Sequence, residues 1–251
     1  MIRMAVPQTA LILGASSMLG RALALEYAAL GWRIVLCGRD VEELKRCAAD
    51  LAIRTSAAVD TISVDLTDGP SIDKCAVEIL TKGLPRVTIF VAGAIDGAAE
   101  APYDPVIMRN LHTINYMGVA HLVGALLPAL KAASGSTIAF ISSVAGDRGR
   151  RSNFVYGAAK AALNTYCQGL RALLPPNAVS ILTVKLGYLD TRMAYGLAPS
   201  RLMCSPGYAA KVIRRSIERR RMVVYVPWFW HWICLVVRVI PERLFIRLPI
   251  P

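Results

Sequence analysis

The sequence predicts an α/β fold built on a doubly wound parallel sheet of about seven strands, and three observations carry that reading. Short, β-rich apolar runs alternate with longer segments of helical period along the first 226 residues. Runs such as Ile34-Val35-Leu36 are apolar on nearly every residue, which suits strands buried on both faces of a parallel sheet. No Pro/Gly/Ser-rich tract divides the chain and no internal repeat is found. The economical organisation is therefore one domain over 1–226 and a C-terminal appendage over 227–251.

The strands are expected at 9–14, 33–38, 57–65, 86–92, 136–143, 178–186 and 222–226, with helices near 19–30, 41–53, 71–82, 104–133, 154–174 and 206–219. This succession implies right-handed crossovers. The helix at 206–219 shows the local signals. Ser205 caps it, Pro206 suits the first helical position, and Ala209, Val212, Ile213, Ser216 and Ile217 keep a 3.6 period. Arg219, Arg220 and Arg221 then answer the helix dipole.

Composition narrows the class. The 251 residues are 55% hydrophobic and 18% charged, with a formal net charge of +12 and a mean hydropathy of +0.46. That apolar content excludes disorder as the dominant state. The longest uncharged apolar run, 222–237, falls short of the roughly 20 residues that a spanning helix needs. The charge is uneven: residues 201–251 hold ten basic and two acidic residues, so the first 200 are nearly balanced. The six cysteines are scattered, without metal-ligand spacing, so no metal site is expected. Cysteine usage and the absence of a secretory pattern point to a reduced, cytoplasmic setting.

After the first strand comes Gly14-Ala15-Ser16-Ser17-Met18-Leu19-Gly20, then helix. Small residues there let backbone N–H groups approach a pyrophosphate at a helix N-terminus, so a dinucleotide turn is expected. The second strand ends at Gly38 and is followed by Arg39, suited to a ribose 2′-phosphate. NADP(H) is thus slightly favoured, with NAD(H) left open. Asp65, ending the third strand, is placed against the adenine end, with Leu66 beside it, and Ala92 and Gly93 line the cofactor cleft after the fourth strand.

The chemistry rests on Ser142-Ser143-Val144-Ala145-Gly146 and, thirteen residues after Ser143, Tyr156-Gly157-Ala158-Ala159-Lys160. On a helix Tyr156 and Lys160 share a face, one turn apart. A cationic Lys160 is expected to lower the tyrosine pKa from its usual value near 10. Ser143 is expected to hydrogen-bond a carbonyl oxygen where negative charge develops. Asn115, in Ile114-Asn115-Tyr116-Met117-Gly118, would hold a water behind Lys160 or else be satisfied by backbone. The set points to hydride transfer to or from a carbonyl or alcohol.

Together these motifs resemble the short-chain dehydrogenase/reductase family over nearly the whole chain. The resemblance implies a Rossmann-type domain in which Ser143, Tyr156 and Lys160 match the catalytic triad and Asn115 the fourth member. It makes Tyr156 the acid/base, has Lys160 also bond the nicotinamide ribose, and sets Thr191 against the carboxamide. The sequence departs from the family at Met18, where the middle glycine of the phosphate loop is usual. It departs again at Phe90-Val91-Ala92-Gly93, in place of Asn-Asn-Ala-Gly, and at Leu186-Gly187, in place of Pro-Gly.

Two stretches are similar to a narrower branch, the decaprenylphosphoryl-2-keto-pentose reductases. They are Gly149-Arg150-Arg151-Ser152-Asn153-Phe154-Val155-Tyr156-Gly157 and the segment 240–250. This resemblance implies a polyprenylphosphoryl keto-sugar substrate and a flavin-dependent oxidase as partner, the two together epimerising ribose to arabinose for the cell envelope. Arg148, Arg150 and Arg151 would then meet the substrate phosphate.

The run from Trp228 to Arg238 is apolar almost all round as a helix, save His231 and Arg238. With its flanking arginines and tryptophans it reads as an anchor on an anionic membrane, on the inner face of the cell membrane. The alternative is a subunit interface of a homodimer or tetramer. Competing functions are reduction of another lipid carbonyl, of ketoacyl or keto-sterol type, and non-catalytic dinucleotide binding. Nucleic acid, the bland partner for a basic protein, is not expected.

Overall fold

The computed structural model describes residues 8–175, 177–191 and 200–248. In chain order its first half runs β1 (Thr9–Leu13), α1 (Met18–Ala28), β2 (Arg33–Gly38), α2 (Val41–Thr55), β3 (Val59–Ser63), α3 (Gly69–Lys82) and β4 (Val87–Phe90). Next come α4 (Pro105–His112), a π turn (Thr113–Met117), α5 (Gly118–Ala132), β5 (Ser136–Ser143) and α6 (Phe154–Leu173). The remainder is β6 (Val179–Leu186), β7 (Tyr188–Leu189), β8 (Met203–Cys204), α7 (Pro206–Glu218), β9 (Val223–Val226), α8 (Trp230–Val239) and α9 (Glu242–Phe245).

Seven strands form one parallel sheet in the order β3-β2-β1-β4-β5-β6-β9. The order reverses between β1 and β4, the switch point at which open α/β sheets take their ligands, at the C-terminal ends of the strands. The near-continuous apolar runs are explained by two cores, one on each face. Ala10, Ile12, Ile34 and Leu36 face α1, α2 and α7. Leu11, Leu13, Val35 and Phe140 face α3, α5 and α6. Five helices start on a side-chain cap suited to them: Ser17 for α1, Asp40 for α2, Asp68 for α3, Asp104 for α4 and Ser205 for α7, whereas α6 follows Asn153 without one.

The helix expected over 104–133 is interrupted by the π turn at 113–117, which holds Asn115. Such insertions add a residue to one turn and re-aim the side chains around it. By length and composition the stretch Pro105–Ala132 could cross a membrane. Here it is a core helix, its Val119, Leu122, Val123, Leu126 and Leu130 buried on the sheet. The two-residue strands β7 and β8 pair beyond the main sheet. They are too short to leave an apolar run, and the sequence does not signal them.

At the start of α5 a Cβ added to Gly118 would overlap the Leu66 carbonyl oxygen. The backbones of α5 and the loop after β3 meet there without a side chain between them. Gly118→Ala is expected to lower stability by about 1–3 kcal/mol through overpacking, read as a shift in the urea midpoint at unchanged slope.

Candidate active site

The cofactor side of the site is a line of close backbone approaches. Gly14 has φ +87°, and a Cβ on it would sit 2.7 Å from the Ala92 amide nitrogen. The ends of β1 and β4 therefore touch at the switch point, held also by the Ala92 N–H donating to Leu13 O at 3.1 Å. Ser17 accepts from the Gly20 amide at 3.0 Å and donates to Gly14 O at 2.8 Å, which fixes the turn into α1. Ser16, Ser17 and Met18 are exposed, Leu19 and Gly20 are buried, and the first turn of α1 carries no acidic residue. An exposed helix N-terminus with small residues and no competing carboxylate fits a pyrophosphate. Met18 lies outward, so the missing middle glycine leaves this cradle open.

At the adenine end Arg39 is exposed just past β2. Asp65 accepts from the Thr67 amide (2.8 Å) and hydroxyl (2.7 Å). These bonds, with a smaller contribution from the Arg39 charge, lower its pKa. Arg39 and Asp65 thus lie within electrostatic reach of one another, with Leu66 buried beside them. Arg39 supplies a cation for a 2′-phosphate and Asp65 an acceptor, so the cleft fits either nicotinamide dinucleotide, with the cation favouring the phosphorylated one.

The catalytic side begins one residue after Ala92. A Cβ on Gly93 would lie 3.0 Å from Asn115 Oδ1 and 3.2 Å from Lys160 Nζ, so both groups crowd that glycine. Asn115 is fully buried. Its Nδ2 donates to Ala94 O (2.7 Å) and Leu111 O (2.9 Å), and its Oδ1 accepts from the Ala94 amide (3.2 Å). Both amide protons are committed to backbone. These bonds clamp the 93–94 segment against the helix that carries Asn115.

Lys160 is 3% exposed and donates to Ile141 O at 3.1 Å, which ties α6 to β5. Burial lowers its pKa to about 8. Tyr156 lies one turn earlier, with Lys160 Nζ 5.7 Å from its ring centroid. The tyrosine pKa is raised to about 12 by desolvation, pulled back partly by a hydrogen bond with Ser143 and by the charge of Arg150. This corrects the expectation that Lys160 would depress the tyrosine. The ammonium is spent on a backbone carbonyl, and loss of water outweighs the charges nearby. Ser143, which also accepts from the Ala145 amide at 3.1 Å, ends β5 against Tyr156. Thr191 lies just past β7, its amide bonded to Leu189 O at 2.8 Å.

The three arginines before Tyr156 do not act together. Arg148 turns away from Tyr156 to the C-terminal segment. It donates to Val237 O (2.6 Å) and Ile240 O (2.5 Å), pairs with Glu242 (3.2 Å) and lies 4.0 Å over the Phe245 ring. This takes Arg148 out of the expected phosphate set, because the open carbonyls at the end of α8 bind its guanidinium instead. Arg150 is the one that Tyr156 feels. Arg151 is exposed.

A cluster that the sequence reading missed joins the same region. Asp147 pairs with Lys185 and accepts from the Tyr225 hydroxyl at 2.7 Å, and Lys185 donates to that hydroxyl at 3.2 Å. Cys234 of α8 bonds to Asp147 as well, and its thiol pKa is pushed up to about 12, chiefly by burial. The one signal in the sequence was Lys185, a charge inside an otherwise apolar strand. Trp230 closes the assembly. Its indole lies where a Cβ on Gly187 would be, and it packs with Val144, the residue after Ser143. The segment from 227 is therefore a wall of the site, built onto the catalytic loop.

A family model described as short chain dehydrogenase matches residues 8–201. An uncharacterized oxidoreductase of Mycobacterium tuberculosis is 30% identical over 239 residues, covering 95% of this chain and 96% of its own length. Another from Streptomyces coelicolor is 32% identical over 247 residues, covering 96% of each. Among solved structures, a short-chain dehydrogenase from Sphingobium yanoikuyae in complex with NADPH superposes with a TM-score of 0.81 at 24% identity. That match covers 94% of this chain and 97% of the other, and shows the shared fold.

Burial of Lys160 has a consequence for stability. With its folded pKa near 8 and its unfolded pKa near 10.5, the folded state binds fewer protons between those values, so stability rises with pH there. Measured without cofactor, the stability of the protein relative to Lys160→Met should improve by about 3 kcal/mol between pH 7 and pH 10.5. A difference that stays constant would contradict the buried charge.

Proposed function

This chain belongs to the short-chain dehydrogenase family, and from that premise we propose that it reduces the 2-keto group of a polyprenylphosphoryl pentose with NADPH. The family makes it an NAD(P)-dependent oxidoreductase. The direction, the substrate and the preference for the phosphorylated cofactor are our reading.

The observation that carries the chemistry is geometric: Tyr156 meets Ser143 at the end of β5, one helical turn before buried Lys160, and desolvation of the phenol favours its acid form. A phenol whose pKa is held near 12 stays protonated at neutral pH. It is therefore a proton donor, which is what reduction of a carbonyl needs. The turn at Gly14–Gly20 and the Ala92–Gly93 end of β4 would hold a nicotinamide dinucleotide, which would supply the hydride when bound. The chain supplies the rest. Ser143 and Tyr156 meet at the end of β5 and hydrogen-bond the carbonyl oxygen, drawing negative charge onto it. Tyr156 gives its proton to that oxygen as the alcohol forms. Lys160, still charged below about pH 8, holds a positive field beside the phenolate left behind. Asn115 keeps the Gly93–Ala94 backbone from shifting against Lys160. Arg39 favours the 2′-phosphate, and a charge-assisted contact of that kind is worth roughly 1.5–3 kcal/mol.

Two features support the substrate. The stretches 149–157 and 240–250 resemble the keto-pentose reductase branch, and Arg150 places a cation close to Tyr156, where a substrate phosphate near the reacting carbon would sit. On this reading a flavin-dependent oxidase makes the keto compound that this enzyme reduces. Reduction of another lipid carbonyl shares every feature except the use of Arg150.

Assay of the polyprenylphosphoryl 2-keto-pentose with NADPH and NADH should give turnover with both and a higher kcat/KM for NADPH. No turnover with either would remove this substrate. Tyr156→Phe should lower kcat by about 10²–10⁴ with cofactor binding retained, and undiminished activity would overturn the role of Tyr156.

A further inference from the structure

The C-terminal segment has two unlike sides. On α8, Trp230 and Cys234 are buried against Val144, Tyr188 and Tyr225, while Trp232, Leu235, Val236 and Val239 are 46–72% exposed. The apolar exposure continues through α9 and beyond at Leu244, Ile246 and Leu248, and begins before α8 at Trp228. Exposed Arg238, Arg243 and Arg247 alternate with these residues. The single acidic residue of the segment is Glu242, already paired with Arg148.

We propose that this outer face of α8 and α9 docks on an anionic lipid bilayer, lying in its headgroup region. Burying so much apolar surface is favourable, and leaving it in water is unusual for a folded domain. Charge decides between the two occupants that would cover it. A second copy packed about a two-fold axis would set arginines against the same arginines, with no free carboxylate to separate them. An anionic surface takes all three cations at about 1 kcal/mol each, and tryptophans favour the headgroup boundary.

Length decides between lying on the membrane and crossing it. The ten residues of α8 span about 15 Å, half of a hydrocarbon core, and their inner side is fixed to the protein. Arg148 bonds the carbonyls at the end of α8 and Trp230 lies on Gly187, so the docking face is braced against the loop that bears Ser143. Docking would therefore hold the site close to the bilayer, within reach of a substrate whose reacting group sits at the headgroups.

Vesicle binding is read without turnover, so it stands or fails separately from the substrate proposed above. The full chain is sedimented with vesicles of phosphatidylglycerol and phosphatidylcholine in equal amounts, and with phosphatidylcholine alone. It should bind the first and bind the second at least tenfold more weakly (about 1.4 kcal/mol or more). The double variant Arg243→Gln/Arg247→Gln should bind the anionic vesicles about 30-fold more weakly. Trp232→Ser/Val236→Ser should lose binding while keeping its melting temperature, because both residues are exposed. No binding by the full chain, equal binding to both vesicles, or binding untouched by either variant would overturn the proposal. So would sedimentation velocity showing a stable dimer that Trp232→Ser/Val236→Ser dissociates, since the face would then belong to a second copy.

Discussion

The bond from Lys160 to the carbonyl of Ile141 is the interaction on which the site depends. It buries an ammonium between α6 and β5, and the backbone dipole at the end of the strand offsets only part of the cost of that burial. Because Lys160 is fixed there, Tyr156 is set one turn earlier on the same helix face, against Ser143 at the last position of β5. The same pin brings Lys160 against Gly93, and through Asn115 it connects to the end of β4 and so to the switch point of the sheet. Removing water from this corner is what gives both titrating groups their character. It lowers the lysine and raises the tyrosine, and the second effect is larger than the pull of the charges nearby.

The C-terminal segment extends that corner outward. Asp147, Lys185 and Tyr225 form a closed set of polar contacts with little access to water, joining the catalytic loop to β6 and β9. A buried ion pair of this kind adds little net stability over a well-packed apolar cluster, but losing one partner leaves an uncompensated charge. Its value here is geometric. It fixes the loop after Ser143, on which Arg148 then holds α8 and α9. A domain boundary at 226 describes the sequence well, since composition changes there, yet the packing crosses it.

Much of this was legible in the residues. The alternation of fully apolar runs with helical periods gave the strand order its elements, because burial on both faces leaves no polar residue in strands such as Ile34-Val35-Leu36. The spacing of Ser143, Tyr156 and Lys160 placed the chemistry, because strand end and helix start are adjacent in a parallel sheet. What the residues could not show depends on contacts between distant segments. The π turn at Asn115 goes with the bonds of its amide to Ala94 and with the close approach of Gly118 to Leu66, neither of which is periodic. The fate of Arg148 depends on carbonyls nearly ninety residues later. The sign of the shift at Tyr156 required knowing where the lysine ammonium points. Local sequence suggested a charge beside a phenol, and the fold turned that charge toward a carbonyl.

The central claim is that Tyr156 works as a protonated acid, its phenol partly desolvated, beside a lysine that is charged only below about pH 8. The pH dependence of kcat/KM in the reductive direction tests it most directly. A plateau through neutrality and a fall above about pH 8, as Lys160 loses its proton, is the predicted result. A rate that instead climbs with pH through neutrality would mean that the phenolate is the working form, and would contradict it.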